Sequence, residues 1–369
     1  MTTLSTPPDL RPAETELTAT EPTDVWYTVC PVPAASSLAI ARGELDEAFR
    51  DGDVRLNSIR SHPDRKVREA HYDQSQPNAF REGGNVPPLW AKSVGRNLRV
   101  IGLSWVETYS AVLALPGSGI REPGDLRGKR LGLIGRPNDP VDYPRATSLR
   151  GYHAALESAG LGFDDVTLVN IPITETLVGK PPEAGALSRS LFSARLMRRR
   201  QGPELRALLR GEIDALYLNA QGAEVQALLD AEVVFDVAAA PDVRSRINNL
   251  SPTVFTVRGE LLDSRPDIVA RYLARAIRTA RWAKANPVEA KRGIARDSGI
   301  AEEWVDAVYT PEVAAILEPT LDDHLIALLE DQKNFLLRHG FLGGDFSVPD
   351  WIARGPLEEA LRLVADDPR

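Results

Sequence analysis

The sequence predicts an α/β protein of two lobes. Each lobe is expected to be a mixed, mostly parallel sheet flanked by helices, with a ligand cleft between them. Three observations lead there. Strand-like apolar runs alternate with helical periods from residue 25 to 118. The alternation restarts at 119 and continues to 248. At 369 residues the chain is long enough for two units of ordinary domain size. Alternating strands and helices build a sheet covered on both faces, and such sheets bind ligands beyond the C-terminal ends of their strands.

The elements follow in order. Thr, Pro and Glu dominate residues 1–24, which read as a disordered tail. The first strand is 25-VWYTVC-30. A helix over 35–49 comes next, with Leu38, Ile40, Leu45 and Phe49 as its apolar positions. A second strand covers 53–61. The polar stretch 62–89 leaves room for a short strand and a helix, with 83-GGNVPP-88 as a loop or helix entrance. Strands at 98–106 and 109–118 complete the first group. In the second group, strands at 130–135, 165–172, 213–218 and 232–237 alternate with helices at 145–160, 187–200 and 203–212. Residues 249–266 lead into an all-helical C-terminus. The charged run 195-RLMRRR-200 reads as a solvated helix face.

Composition narrows the function classes. Apolar residues make up 43% and charged residues 26%, as in globular proteins. A net charge of -8 argues against a nucleic-acid binder. No apolar run reaches bilayer length, and the N-terminus lacks the order of a signal peptide. The single cysteine cannot form an internal disulfide, so a cytoplasmic location is the simpler expectation.

Three segments resemble the type II periplasmic-binding-protein fold, in its nitrate, sulfonate and thiamine-precursor branch: 116-PGSGIREPGDLRGKRLGLIG-135, 210-RGEIDALYL-218 and 254–287. The resemblance implies lobe 1 from 25–118 and 249–369, and lobe 2 from 119–248. A sharper likeness joins 30-CPVP-33 to 71-HYDQSQPNAFREGGNVPPL-89. This combination resembles the aromatic sulfinate desulfinases, enzymes that release sulfite from 2-(2'-hydroxyphenyl)benzenesulfinate. In that family a Cys follows the first strand, a His lies further on, and Arg-x-Gly-Gly comes ten residues after the His. Cys30, His71, Arg81, Gly83 and Gly84 fall on those positions, and 321–342 with Trp351 also resembles the family. Two segments depart from it, 218-LNAQGAE-224 and 135-GRPNDPVDYPR-145. Both are expected to line the cleft, so they leave the particular substrate open.

Each candidate has a bland reading and a chemical one. Cys30 is either a buried filler or a thiol at a strand end, activated by the N-terminus of the helix that follows. His71 is either a packing residue or the group that exchanges a proton with the thiol. Arg81 can hold an oxyanion with its fork, and Gly83 and Gly84 can let backbone N–H groups approach one. Trp105 and Tyr217 sit at strand ends, where core packing is the default and holding an aromatic ring is the alternative. His62, His153, His324 and His339 are expected to be structural or exposed, with no metal site.

The expected function is cleavage of the C–S bond of an aryl sulfinate by a cofactor-independent, monomeric enzyme with no nucleic-acid or membrane partner. Cys30 would act as a nucleophile on sulfur or as a proton donor to the ring carbon. Two other readings stay open. One is a solute-binding protein of an importer for sulfonates or related anions. The other is a decarboxylase of aromatic acids on the same fold.

Overall fold

The structure is a computed structural model, and it describes residues 22–178 and 202–366. The expected helix at 187–200, with its basic run, lies outside the described residues, as do residues 1–21 of the expected tail. The first sheet has the order β2-β1-β3-β10-β4. Its strands are β1 (Thr23–Val29), β2 (Val54–Ser58), β3 (Ala79–Gly83), β4 (Leu98–Ser104) and β10 (Thr253–Arg258). β1 runs parallel to β2 and β3, and β10 runs antiparallel to β3 and β4. β1 begins before the expected boundary of the tail, because Thr23 and Asp24 pair with Val54 and Arg55.

The second sheet has the order β7-β6-β8-β5-β9. It contains β5 (Ser110–Ala114), β6 (Arg130–Gly135), β7 (Thr167–Pro172), β8 (Ala215–Asn219) and β9 (Glu232–Asp236). β5 was expected to close the first group. It lies instead in the second sheet, antiparallel to both β8 and β9. All five of its residues are buried, as in a strand covered on both faces, and it is paired along both edges in the second sheet.

The expected helix at 35–49 is two helices, α1 (Ala35–Ala41) and α2 (Glu44–Ala48). Gly43 breaks it with a φ of 73°, a left-handed conformation that glycine adopts without a Cβ penalty. The polar stretch after β2 folds into α3 (Arg65–Asp73), then β3, then α4 (Val86–Ser93). α5 (Tyr143–Ser158) and α6 (Gly202–Leu209) cover the second sheet.

Helix Pro266–Ala285 supports the first sheet. It buries Ile268, Tyr272, Leu273, Ala276, Ile277 and Ala280, one amphipathic stripe. Tyr272 stacks on Phe80 of β3 at 4.1 Å between centroids. The chain crosses between sheets at residues 105–109 and 237–252, and the two crossings are tied together. Ser251 Oγ donates to the Val106 carbonyl at 2.6 Å. The Glu107 carboxylate accepts from Trp105 Nε1 and from Arg246 Nη1, each at 2.8 Å. Among the described residues, no helix is long and apolar enough to cross a membrane.

Candidate functional site

β1 delivers the thiol. Side chains alternate along a strand, so Thr28 and Cys30 leave β1 on the same side. Both reach His71, which projects from α3. Thr28 Oγ1 lies 2.6 Å from His71 Nδ1, and Cys30 Sγ lies 3.5 Å from His71 Nε2. The two contacts fix the imidazole from both ends. If Nδ1–H donates to Thr28, Nε2 faces the sulfur and can exchange a proton with it.

β3 delivers the cation. In register Thr28 faces Arg81 and Val29 faces Glu82. Arg81 Nη2 donates to Cys30 Sγ at 3.2 Å. Its Nε donates to the His71 carbonyl at 3.0 Å, and Nη1 to the Gly84 carbonyl at 2.8 Å. The guanidinium therefore does not present an open fork, as the sequence suggested. Two of its edges hold backbone, and the third faces sulfur. All three side chains are buried, Cys30 at 9%, His71 at 1% and Arg81 at 3% exposure.

Gly83 makes room for the thiol. Its φ is 152°, and a Cβ placed there would lie 2.3 Å from Cys30 Sγ. Gly84 has a different neighbour, since a Cβ there would lie 2.4 Å from Asn249 Nδ2.

The expected coupling of the thiol to a helix N-terminus takes another form. α1 does begin after Cys30, but Ser36 N–H donates to Glu82 Oε2 at 2.9 Å. The positive end of α1 thus meets the Glu82 carboxyl, and Arg81 and His71 are the polar partners at the sulfur. Burial pushes the Glu82 carboxyl above its usual range, against the pull of the Ser36 and Ala35 N–H groups.

The thiol opens into a pocket with about 610 Å³ of open space. Pro31, Tyr72 and Pro87 contribute from the first sheet's side, and Tyr143, Asn219 and Gln221 from the second. Tyr72 and Tyr143 stack across the cleft with centroids 6.0 Å apart and planes at 12°. Sequence reasoning missed this aromatic wall, although Tyr72 directly follows His71 and Tyr143 lies in a departing segment. Trp105 is not in it: its indole is engaged with Glu107 in the crossing. Tyr217 lines an adjoining pocket beside Arg136 and Glu204. Both departing segments do line the cleft, through Arg136, Tyr143, Asn219 and Gln221. Among the described residues, no three His, Cys, Asp or Glu side chains group to hold a metal ion.

Comparison with known proteins bears directly on this geometry. The chain is 28% identical to the 2'-hydroxybiphenyl-2-sulfinate desulfinase of Rhodococcus erythropolis over 355 residues, 91% of this chain and 93% of that protein. The Rhodococcus qingshengii desulfinase matches at the same 28% identity. The chain is a relative of the aromatic sulfinate desulfinases. Among solved desulfinase structures, a Cys→Ser mutant of DSZB in complex with biphenyl-2-sulfinic acid superposes with a TM-score of 0.73. It is 26% identical, and the match covers 92% of this chain and 99% of that one. The periplasmic aliphatic sulphonate binding protein SsuA from Escherichia coli superposes with a TM-score of 0.63 at 13% identity, covering 90% and 92% of the two chains. That likeness places the desulfinase relative on the two-lobed binding-protein fold. The NMT1/THI5 like family matches residues 84–180.

Proposed function

We propose that this chain is an aromatic sulfinate desulfinase, cleaving the carbon–sulfur bond of an aryl sulfinate with water to give the arene and sulfite. The reading rests on one observation above all. Cys30 Sγ lies between His71 Nε2 and Arg81 Nη2 at the floor of an aromatic-walled cleft. The relationship to desulfinases over nearly the whole chain supports it.

Cys30 delivers a proton. A thiolate approaching a sulfinate meets like charge, whereas a neutral thiol does not. The S–H proton goes to the ring carbon that bears sulfur, forming C–H. The C–S bond then breaks, its electron pair returns to the ring, and sulfur leaves as SO2, which adds water to become sulfite. The charge left on Cys30 Sγ is held by Arg81. His71 returns a proton from water to the sulfur, with Thr28 holding the ring in place. Tyr72 and Tyr143 hold the aromatic group.

The test is sulfite release from 2'-hydroxybiphenyl-2-sulfinate by the wild-type protein and by Cys30→Ser. The expected loss is on the order of a thousandfold or more, with substrate binding retained in calorimetry. Sulfite release that survives Cys30→Ser sinks the assignment of Cys30. A Cys30–SO2 adduct in rapid-quench mass spectrometry replaces proton delivery with nucleophilic attack.

A further inference from the structure

A second pocket adjoins the thiol pocket. It has about 630 Å³ of open space and shares Tyr143, Asn219 and Gln221 with its neighbour. Its buried polar lining is Arg136, Thr147, Ser148 and Glu204, and two of these carry ionisable groups. Glu204, on α6, is 3% exposed, and its Oε1 has no hydrogen-bond partner. Arg136, just past β6, is 4% exposed, and its Nε has no partner either. Its Nη1 donates to the Glu175 carbonyl at 3.0 Å and lies 3.7 Å from Asp139 Oδ2. The Tyr217 hydroxyl, on the same pocket, is a third such atom. Buried polar atoms in native proteins nearly always have partners, so three orphans lining one pocket point to a ligand group.

Charge decides which group. Arg136 is already paired with Asp139. Burial pushes the Glu204 carboxyl up to about 8, against the pull of Arg136, so it is neutral at pH 7. A second anion of the substrate would be buried here without a countercharge of its own. A neutral carboxyl both gives and accepts a hydrogen bond, and a hydroxyl complements it on both counts.

We propose that the Arg136–Glu204 pocket is a specificity subsite for a hydroxyl group carried by the distal ring of the aryl sulfinate. The inference rests on the desulfinase reading and deepens it. The sulfinate occupies the thiol pocket, the substrate passes Tyr143, and the hydroxyl reaches Glu204.

The experiment compares kcat/KM for sulfite release from 2'-hydroxybiphenyl-2-sulfinate and biphenyl-2-sulfinate, which differ only in that hydroxyl. The wild-type protein is expected to prefer the hydroxylated substrate by on the order of ten- to a hundredfold. Glu204→Leu is expected to bring the ratio close to one, and Glu204→Gln, which still gives and accepts, to keep most of it. A wild-type ratio near one overturns the proposal, and so does a ratio that Glu204→Leu leaves unchanged. The wild-type ratio stands as a test even if Glu204→Leu fails to fold. Sulfite from neither substrate counts against the desulfinase reading instead. Calorimetric binding of the two sulfinates then tests the subsite, and equal affinities overturn it.

Discussion

The residues around sulfur divide by what a linear pattern can reveal. The spacing from His71 to Gly84 marked the unit that folds against Cys30, because α3 and β3 follow each other closely and deliver their side chains to one point. Thr28 was hidden in plain view: alternation along β1 places it beside Cys30, but only the fold brings His71 Nδ1 to it. Trp105 and Tyr217 were candidates because strand ends line clefts, and only the fold separates them: Tyr217 lines the adjoining pocket, while the Trp105 indole is engaged with Glu107. Glu204 gave no signal at all, since an acidic residue near a helix start is ordinary. Its burial makes it testable by itself. The folded protein keeps the Glu204 proton up to about pH 8, whereas the unfolded chain loses it near 4.5. The native state therefore binds the extra proton between those values, and stability falls as pH rises through that window. Glu204→Gln is expected to flatten the dependence of Tm on pH between about 4.5 and 8, and to stabilise the protein at pH 8 by on the order of a few kcal/mol. Thermal melts at half-unit pH steps check this. An unchanged slope in the variant assigns the dependence to other groups.

Elements were legible where hydrophobic pattern and length agreed. β4, β6, β7 and β8 lie within a few residues of their expected positions. β5 illustrates the limit. An all-buried strand announces that it is central, but not in which sheet, and that depends on pairing partners more than a hundred residues away. The break at Gly43 was a matter of one backbone angle, which composition does not report. Long-range ties of this kind also hold the mouth of α4. The Asn85 side chain donates to the Asn248 carbonyl at 2.7 Å and to the Pro252 carbonyl at 2.9 Å, and it accepts from Gln332 Nε2 at 3.2 Å. Asn85 is fully buried, so Asn85→Ala leaves those groups without a partner. The expected cost is roughly 3 kcal/mol. Urea unfolding measures it, and a loss below about 0.5 kcal/mol shows that the three segments hold together without Asn85.

At the scale of the molecule, the two sheets share one core. The same buried cluster contains Val25 and Phe80 of the first sheet and Leu131, Leu133 and Tyr152 of the second lobe. Together with the tied crossings, this predicts one cooperative thermal transition. A bound aryl sulfinate is expected to move that transition upward as a whole, by about 2.7 kcal/mol at a hundredfold excess over Kd. Two separate calorimetric peaks, with only one moved by ligand, show instead that the lobes melt independently. Gly83 also sets what can change at the end of the first strand. A Cβ at 83 would lie 2.5 Å from the Cβ of Cys30 as well as 2.3 Å from its sulfur, so any side chain at 30, reactive or not, needs that space. Alanine at 83 crowds this strand end whichever residue occupies it. The glycine is the standing requirement and the thiol is the exchangeable part: one strand end, kept open from across the sheet, can carry an inert group or a reactive one.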